Sequence, residues 1–216
     1  MSIANRSTQP SSAEMFFDPL CPWAWMTSRW LMEVAEVRNL DITWSVMSLS
    51  ALNEGRDGLS ESYRGMLDSG WGPVRVVIAA ARDHGDKVKK QLYDAMGARL
   101  HPGGRGDTPD DLRQVIVEAL EDVGLPPELI DCAANVPGDE IDIELRASHQ
   151  RAMDLVGDEV GTPVVSVGDV AFFGPVVTPA PKGEAAGQLW DGCLLVAGTP
   201  GFYEIKRTRV KGPDFS

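Results

Sequence analysis

The sequence predicts an α/β fold with a large all-helical insertion, in the chain order β-α-β, helical block, β-β-α. Three observations predict it. The first fifty or so residues give strand, helix and strand patterns in turn. From about Ser60 to Val156 only helical patterns can be written, and after Gly161 short β-branched and aromatic runs return before one last helix. The length of 216 residues suits one domain, or one domain carrying a large insertion.

The residues Ala13 to Phe17 are brief, apolar and closed by Asp18-Pro19, as in a buried strand. Pro22 sits well at the first position of a helix running to about Val37, with Trp23, Met26, Trp30, Val34 and Val37 at three- and four-residue steps. Ile42, Trp44, Val46 and Ser48 alternate, predicting a strand over Asp41–Leu49. Strand, helix and strand in this order predict a right-handed crossover with parallel strands. The insertion reads as helices at Ser60–Ser69, Pro73–His84, Lys87–Leu100, Asp110–Val123, Glu128–Ala134 and Glu140–Val156. Thr108-Pro109-Asp110-Asp111 supplies a capping hydroxyl, a proline and first-turn acids for the fourth of these. Val164–Val167 and Val170–Phe173, joined by Gly168-Asp169, predict a hairpin, and Glu184–Val196 the final helix.

Composition narrows the function classes. Twenty Lys and Arg against 32 Asp and Glu leave a net charge of −12, which disfavours nucleic acid and anionic membrane surfaces. The three cysteines, Cys21, Cys132 and Cys193, are scattered and odd in number, so a disulfide framework is excluded and a reducing, cytoplasmic setting is expected. Met1 to Ser12 is polar, lacks the apolar core of a signal peptide and reads as a loose tail. The longest apolar run, Val76–Ala81, is too short to span a bilayer.

The chemistry is concentrated in Asp18-Pro19-Leu20-Cys21-Pro22-Trp23-Ala24-Trp25. A cysteine where a strand ends and a helix begins meets unpaired N–H groups and the helix dipole, which predicts a stabilised thiolate and a lowered pKa. Thiolate is the form that attacks disulfides and electrophiles. Trp23 beside it offers a face for stacking, or simply packs in the core. Asp18 either shuttles protons or only ends the strand, and a nearby carboxylate raises a thiol pKa. Gly161-Thr162-Pro163, just before the returning strand, suggests a cis-proline that sets the Thr162 backbone across from the cysteine turn. His84, His101 and His149 lack ligand spacing, so no metal is expected. Gly103–Gly106 follows a helix rather than a strand and is not a phosphate loop. The basic run Lys206–Lys211 faces either an anionic ligand or the chain's own acidic body.

Taken together, these motifs resemble a thioredoxin-like fold of the DsbA type, and within it the actinobacterial mycothiol-dependent nitroreductase group. The resemblance rests on Phe17–Trp23, Thr27–Trp30, Val46–Leu49, Leu52–Glu54, Trp71–Arg75, Val160–Pro163, Ala171–Pro175 and Lys206–Arg209. It implies a thioredoxin-like domain over residues 13–56 and 158–216, an inserted helical domain over 57–157, and a disordered tail over 1–12. It also implies a cytosolic enzyme taking electrons from the low-molecular-weight thiol mycothiol, a co-substrate, through a mixed disulfide on Cys21. Asn53 and Tyr63 match the family pattern in a loop bordering the cleft, where they either hydrogen-bond substrate or serve capping and surface roles. Thr162 and Pro163 would dock the thiol partner.

One departure stands out. The group carries Cys-Pro-Trp-Cys, whereas Ala24 occupies the fourth position here. Ala24 is either natural, leaving a monothiol enzyme, or an engineered change that traps the mixed disulfide. Cys21 is accordingly expected to be the nucleophile, with Pro22, Trp23 and Ala24 completing its motif, no bound cofactor, and a thiol and a small molecule as partners. A homodimer is a further option. Two rival readings remain open. One is a thiol-dependent isomerase or transferase of the kappa glutathione transferase and chromene-carboxylate isomerase type, acting on an unsaturated small molecule. The other is a non-enzymatic binding protein with a relic cysteine, against which the placement of Cys21 at the strand-to-helix turn argues.

Overall fold

The computed structural model describes residues 11–216. Its first strand, β1 (Ser11–Phe17), starts ahead of the predicted Ala13 because Ser11 and Ser12 already pair with Leu40 and Asp41. Those two residues therefore belong to the sheet rather than to a tail, and the rest of the expected tail, residues 1–10, lies outside the described residues. Helix α1 (Pro22–Arg38) follows and ends at Asn39, whose φ of 48° is the left-handed conformation that asparagine tolerates. Strand β2 (Leu40–Val46) then pairs with β1 in parallel. It stops short of the predicted Leu49 because the Ser48 hydroxyl accepts from Ala51 N–H at 3.2 Å and caps the short helix α2 (Leu49–Leu52).

Where the sequence predicts two helices broken before Pro73, one continuous helix α3 (Glu61–His84) is found, with the proline inside it. A proline there forfeits a ladder bond and crowds the preceding turn. Burial outweighs that cost, since every residue from Gly70 to Ala81 is buried. Gly70 and Gly72 let the helix lie close to its neighbours: a Cβ on Gly70 would meet Ser50 Oγ at 2.6 Å. Next come α4 (Lys87–Leu100) and α5 (Pro109–Val123), the latter capped by Thr108 as predicted. The predicted helix at Glu128 is instead a 3₁₀ turn, Pro127–Ala133, led in by two prolines that donate no backbone hydrogen bond. Helix α6 (Glu140–Val156), strands β3 (Val164–Val167) and β4 (Val170–Phe173), and helix α7 (Gly183–Ala197) complete the chain.

The sheet order is β2-β1-β3-β4, with β3 antiparallel to both β1 and β4. β1 is central and buried on both faces, which accounts for its unbroken apolar end Met15-Phe16-Phe17. Met15 and Phe17 join the main core with Trp30, Leu31 and Val34 of α1 and Tyr93 of α4. Phe16 points the other way, against Met47, Val164 and the α6 residues Ala152 and Met153. The Trp30 indole N–H donates to Ala186 O at 3.1 Å and ties α1 to α7. Because Phe16 faces Val164 in the β1–β3 register, the Asp18–Cys21 turn and the Thr162-Pro163 bond emerge side by side at one end of the sheet.

Candidate active site

Cys21 is the N-cap of α1. Its backbone is extended, with φ −84° and ψ 110°, Pro22 opens the helix, and Sγ accepts from Ala24 N–H at 3.4 Å. On its other side the thiol donates to Thr162 O at 3.3 Å. Thr162 is held in turn by its hydroxyl, which donates to Phe16 O at 3.1 Å, and the Thr162–Pro163 bond is cis. Residues far apart in sequence thus meet on one sulfur atom. A group that both donates and accepts a hydrogen bond is a protonated thiol.

The ionisation of that thiol departs from the expectation of a lowered pKa. Burial pushes Cys21 up to about 12, because Sγ has lost the water that would solvate a thiolate. The N–H groups of Ala24 and Trp23 and the charge of Arg209 oppose this rise, whereas Asp18 adds to it. At a helix N-terminus with a residue exposure of only 6%, desolvation wins over the dipole.

Asp18 does more than end β1. Its Oδ1 accepts from Leu20 N–H at 2.8 Å and its Oδ2 from Leu49 N–H at 2.7 Å, so one carboxylate bridges the cysteine turn and the start of α2. Burial raises its pKa to about 6, against the pull of these two N–H groups. His101 approaches the same turn from the end of α4, with Nε2 3.0 Å from Pro19 O. Burial lowers its pKa to about 4, which makes it neutral at physiological pH. The sequence gives no sign of this last contact, since it depends on the path of the helical block.

Around the thiol, Ala24 is fully buried and Trp23 half-buried. The Arg209 guanidinium stands 5.3 Å from the centre of the Trp23 ring. A cleft of about 160 Å³ opens between α2, the start of α3 and the segment before Thr162, lined by Asn53, Arg56, Tyr63, Glu159 and Gly161 among others. Tyr63 is half-buried there, and its phenol is pushed upward by burial, then by the charges of Cys21 and Asp18. Asn53 is more occupied than the sequence suggests: its amide donates to Leu49 O at 2.8 Å and its carbonyl accepts from Arg56 at 3.1 Å. Its near-complete burial and position after α2 make it a cap that also lines the cleft. A larger hollow of about 380 Å³ beside β2 holds Trp44, Lys87 and Lys90 but no cysteine.

All three cysteines are free. Cys132 lies in the 3₁₀ turn, where its carbonyl accepts from Arg75, and Cys193 lies in α7. Among the described residues no cluster of His, Cys, Asp and Glu is suited to a metal ion, and no helix is long and apolar enough to cross a membrane.

A cysteine capping the first helix, a facing cis-proline and a helical block inserted into a β-α-β, β-β-α frame define a DsbA-like thioredoxin fold. Solved structures share it. A probable DsbA oxidoreductase of Streptomyces coelicolor is 16% identical, with a TM-score of 0.55 over 94% of each chain. The cytosolic disulfide reductase DsbM of Pseudomonas aeruginosa, solved with GSH, is 17% identical, with a TM-score of 0.52 over 85% of this chain and 99% of its own. At such identities the likeness is one of fold. The family is set by sequence: residues 20–207 match the Rv2466c-like family, described as mycothiol-dependent nitroreductase Rv2466c, and the chain belongs to it. An uncharacterized Mycobacterium tuberculosis protein, Rv2286c, is 31% identical over 200 residues, covering 92% of this chain and 83% of that one. The chain is thus a thiol oxidoreductase by class.

Proposed function

We propose that the protein is a cytoplasmic monothiol oxidoreductase working through a mixed disulfide between Cys21 and mycothiol. The observation that carries this reading is the Cys21 sulfur between the α1 N-terminus and Thr162 O, with fully buried Ala24 where a resolving thiol would stand. The Cys21 thiolate attacks the mycothiol sulfur of a substrate–mycothiol disulfide. The Cys21–mycothiol bond forms, the original S–S bond breaks, and the substrate leaves as a thiolate. A second mycothiol thiolate then attacks the mycothiol sulfur of the adduct, giving mycothiol disulfide and restoring Cys21. The free mycothiol is the reductant: its sulfur is oxidised to the disulfide level as the substrate sulfur is reduced to a thiol, and the proton it gives up is taken by the substrate thiolate.

Each residue has a part in this cycle. The N–H groups of Ala24 and Trp23 hold the sulfur when it carries charge, both on attack and on release. Breaking the bond to Thr162 O frees the thiol to ionise, and the freed carbonyl accepts from the incoming partner. Tyr63 walls the neighbouring cleft, Asn53 shapes it through Arg56, and half-buried Trp23 flanks the sulfur on its own side. The raised thiol pKa acts on both halves of the cycle: it reduces the thiolate available for attack and makes Cys21 a poorer leaving group on release.

Intact mass after incubation with a mycothiol mixed disulfide tests the reading. One mycothiol adduct is expected on the protein and none at this site on Cys21→Ser. An unmodified protein, or the same adduct on Cys21→Ser, would refute it. A second reading draws on the same Ala24: a thiol-addition isomerase or transferase needs only one thiol position. Thiol-dependent spectral change of a conjugated carbonyl substrate, without mycothiol disulfide formed, would favour it.

A further inference from the structure

Beyond α7 the chain has no helix or strand from Phe202 to Ser216, yet it is fastened. Asp214 N–H donates to Thr178 Oγ1 at 2.7 Å, and the Phe215 ring lies 5.8 Å from His101, itself 5.6 Å from the Trp25 ring. Between α7 and these anchors the segment forms a strap that carries Lys206, Arg207, Arg209 and Lys211, a local basic excess in a chain of net charge −12. Lys206 pairs with Glu204 and Lys211 with Asp214. Arg209 makes no ion pair among the described residues and lies over Trp23, two positions from the reactive sulfur.

We propose that Arg209 is a specificity-determining residue, giving the Cys21 site a preference for mixed disulfides whose leaving half, the part released as a thiolate, carries a carboxylate. The guanidinium covers one face of the Trp23 ring, so a partner on that side meets a cation and not bare indole. Its exposed donors are free to form the paired hydrogen bonds that a carboxylate accepts. The strap anchors spare it part of the entropy that a free surface arginine loses on binding. The charge also reaches the sulfur, where it favours the thiolate. This inference rests on Cys21 being the reacting thiol.

Two disulfide probes, one anionic and one neutral, separate the claims. 5,5′-Dithiobis(2-nitrobenzoate) carries a carboxylate on each ring, and 2,2′-dithiodipyridine carries none. With either, the Cys21 thiol gives its proton to solvent, its sulfur bonds one probe sulfur, the probe S–S bond breaks and one aryl thiolate leaves. Labelling rates are read on the Cys21 peptide by mass spectrometry, so that Cys132 and Cys193 do not interfere. Arg209→Gln is expected to lower the ratio of the charged-probe rate to the neutral-probe rate on the order of fivefold. Phe215→Ala, which loosens the strap with Arg209 intact, is expected to lower the ratio in the same direction. Any effect on thiol ionisation acts on both probes and cancels in the ratio. An unchanged ratio in Arg209→Gln, with Cys21 labelled by both probes, overturns the inference and leaves the thiol reading standing. Failure of Cys21 in the unaltered protein to react with either probe overturns both.

Discussion

Asp18→Asn isolates the electrostatics beneath the thiol. The carboxylate is 1% exposed, and burial raises its pKa from 3.8 to about 6. An acid whose folded-state pKa lies above its unfolded value is favoured by folding in its protonated form. Its contribution to stability is complete below about 3.8 and is lost as pH rises through about 6. At neutral pH the shift amounts to about 3 kcal/mol of destabilisation. Between pH 5.0 and 7.5 this single group costs the folded state about 1 kcal/mol of that total. Asparagine removes the titration but keeps only one acceptor for the N–H groups of Leu20 and Leu49, and its NH₂ opposes the other. A charged hydrogen bond lost in this way costs roughly 1.5–3 kcal/mol, so the two effects nearly cancel at neutral pH and asparagine is the worse residue at pH 5. Urea unfolding of both proteins at the two pH values reads this directly, and other titrating groups cancel in the comparison. Equal pH slopes for the two proteins would refute the reasoning. Iodoacetamide labelling of Cys21 gives a second reading, since loss of the Asp18 charge should lower the thiol pKa and speed labelling.

Two other substitutions probe the motif and its packing. Ala24→Cys restores a second sulfur to the motif, one helical turn from Cys21; oxidation should close an intramolecular disulfide with loss of two hydrogens in mass and suppress the mycothiol adduct. An adduct of undiminished yield would contradict the monothiol cycle. Gly97→Ala sets helix propensity against packing: alanine gains about 1 kcal/mol in a helix interior, but its Cβ would lie 2.2 Å from Trp25 Cζ3. Overpacking of this kind costs about 1–3 kcal/mol, so a net loss is expected, and an unchanged or raised urea midpoint would show that Trp25 moves freely.

The frame of the protein was legible because its signals are local. The hairpin at Val164–Phe173, the Pro22 start of α1 and the Thr108 cap each depend on a few neighbouring residues. The pairing of Cys21 with Thr162 was legible as an expectation because a cysteine turn and an X-Pro bond before a strand point to one end of a sheet. The continuity of α3 through Pro73 was hidden, since it depends on burial that only the assembled core supplies. The raised thiol pKa is hidden for the same reason: the helix end is visible in sequence, whereas the desolvation that outweighs it is not. Arg209 over Trp23 depends on where a strap without regular structure is pinned, and no periodicity encodes that.

The hydrogen bonds that Leu49 N–H donates to Asp18 and Cys21 donates to Thr162 O have a mechanical meaning. Leu49 stands where the chain departs for its helical excursion, and Thr162 where it returns, so both feet of that excursion rest on a single short turn. The excursion is therefore a closed loop clasped by the Cys21 sulfur itself. Closure entropy grows only slowly with loop length, about 0.6 kcal/mol for each doubling. The helical block is thus free to lengthen or shorten at little cost to the clasp, while any step that lets go of Thr162 O unfastens one of its two feet.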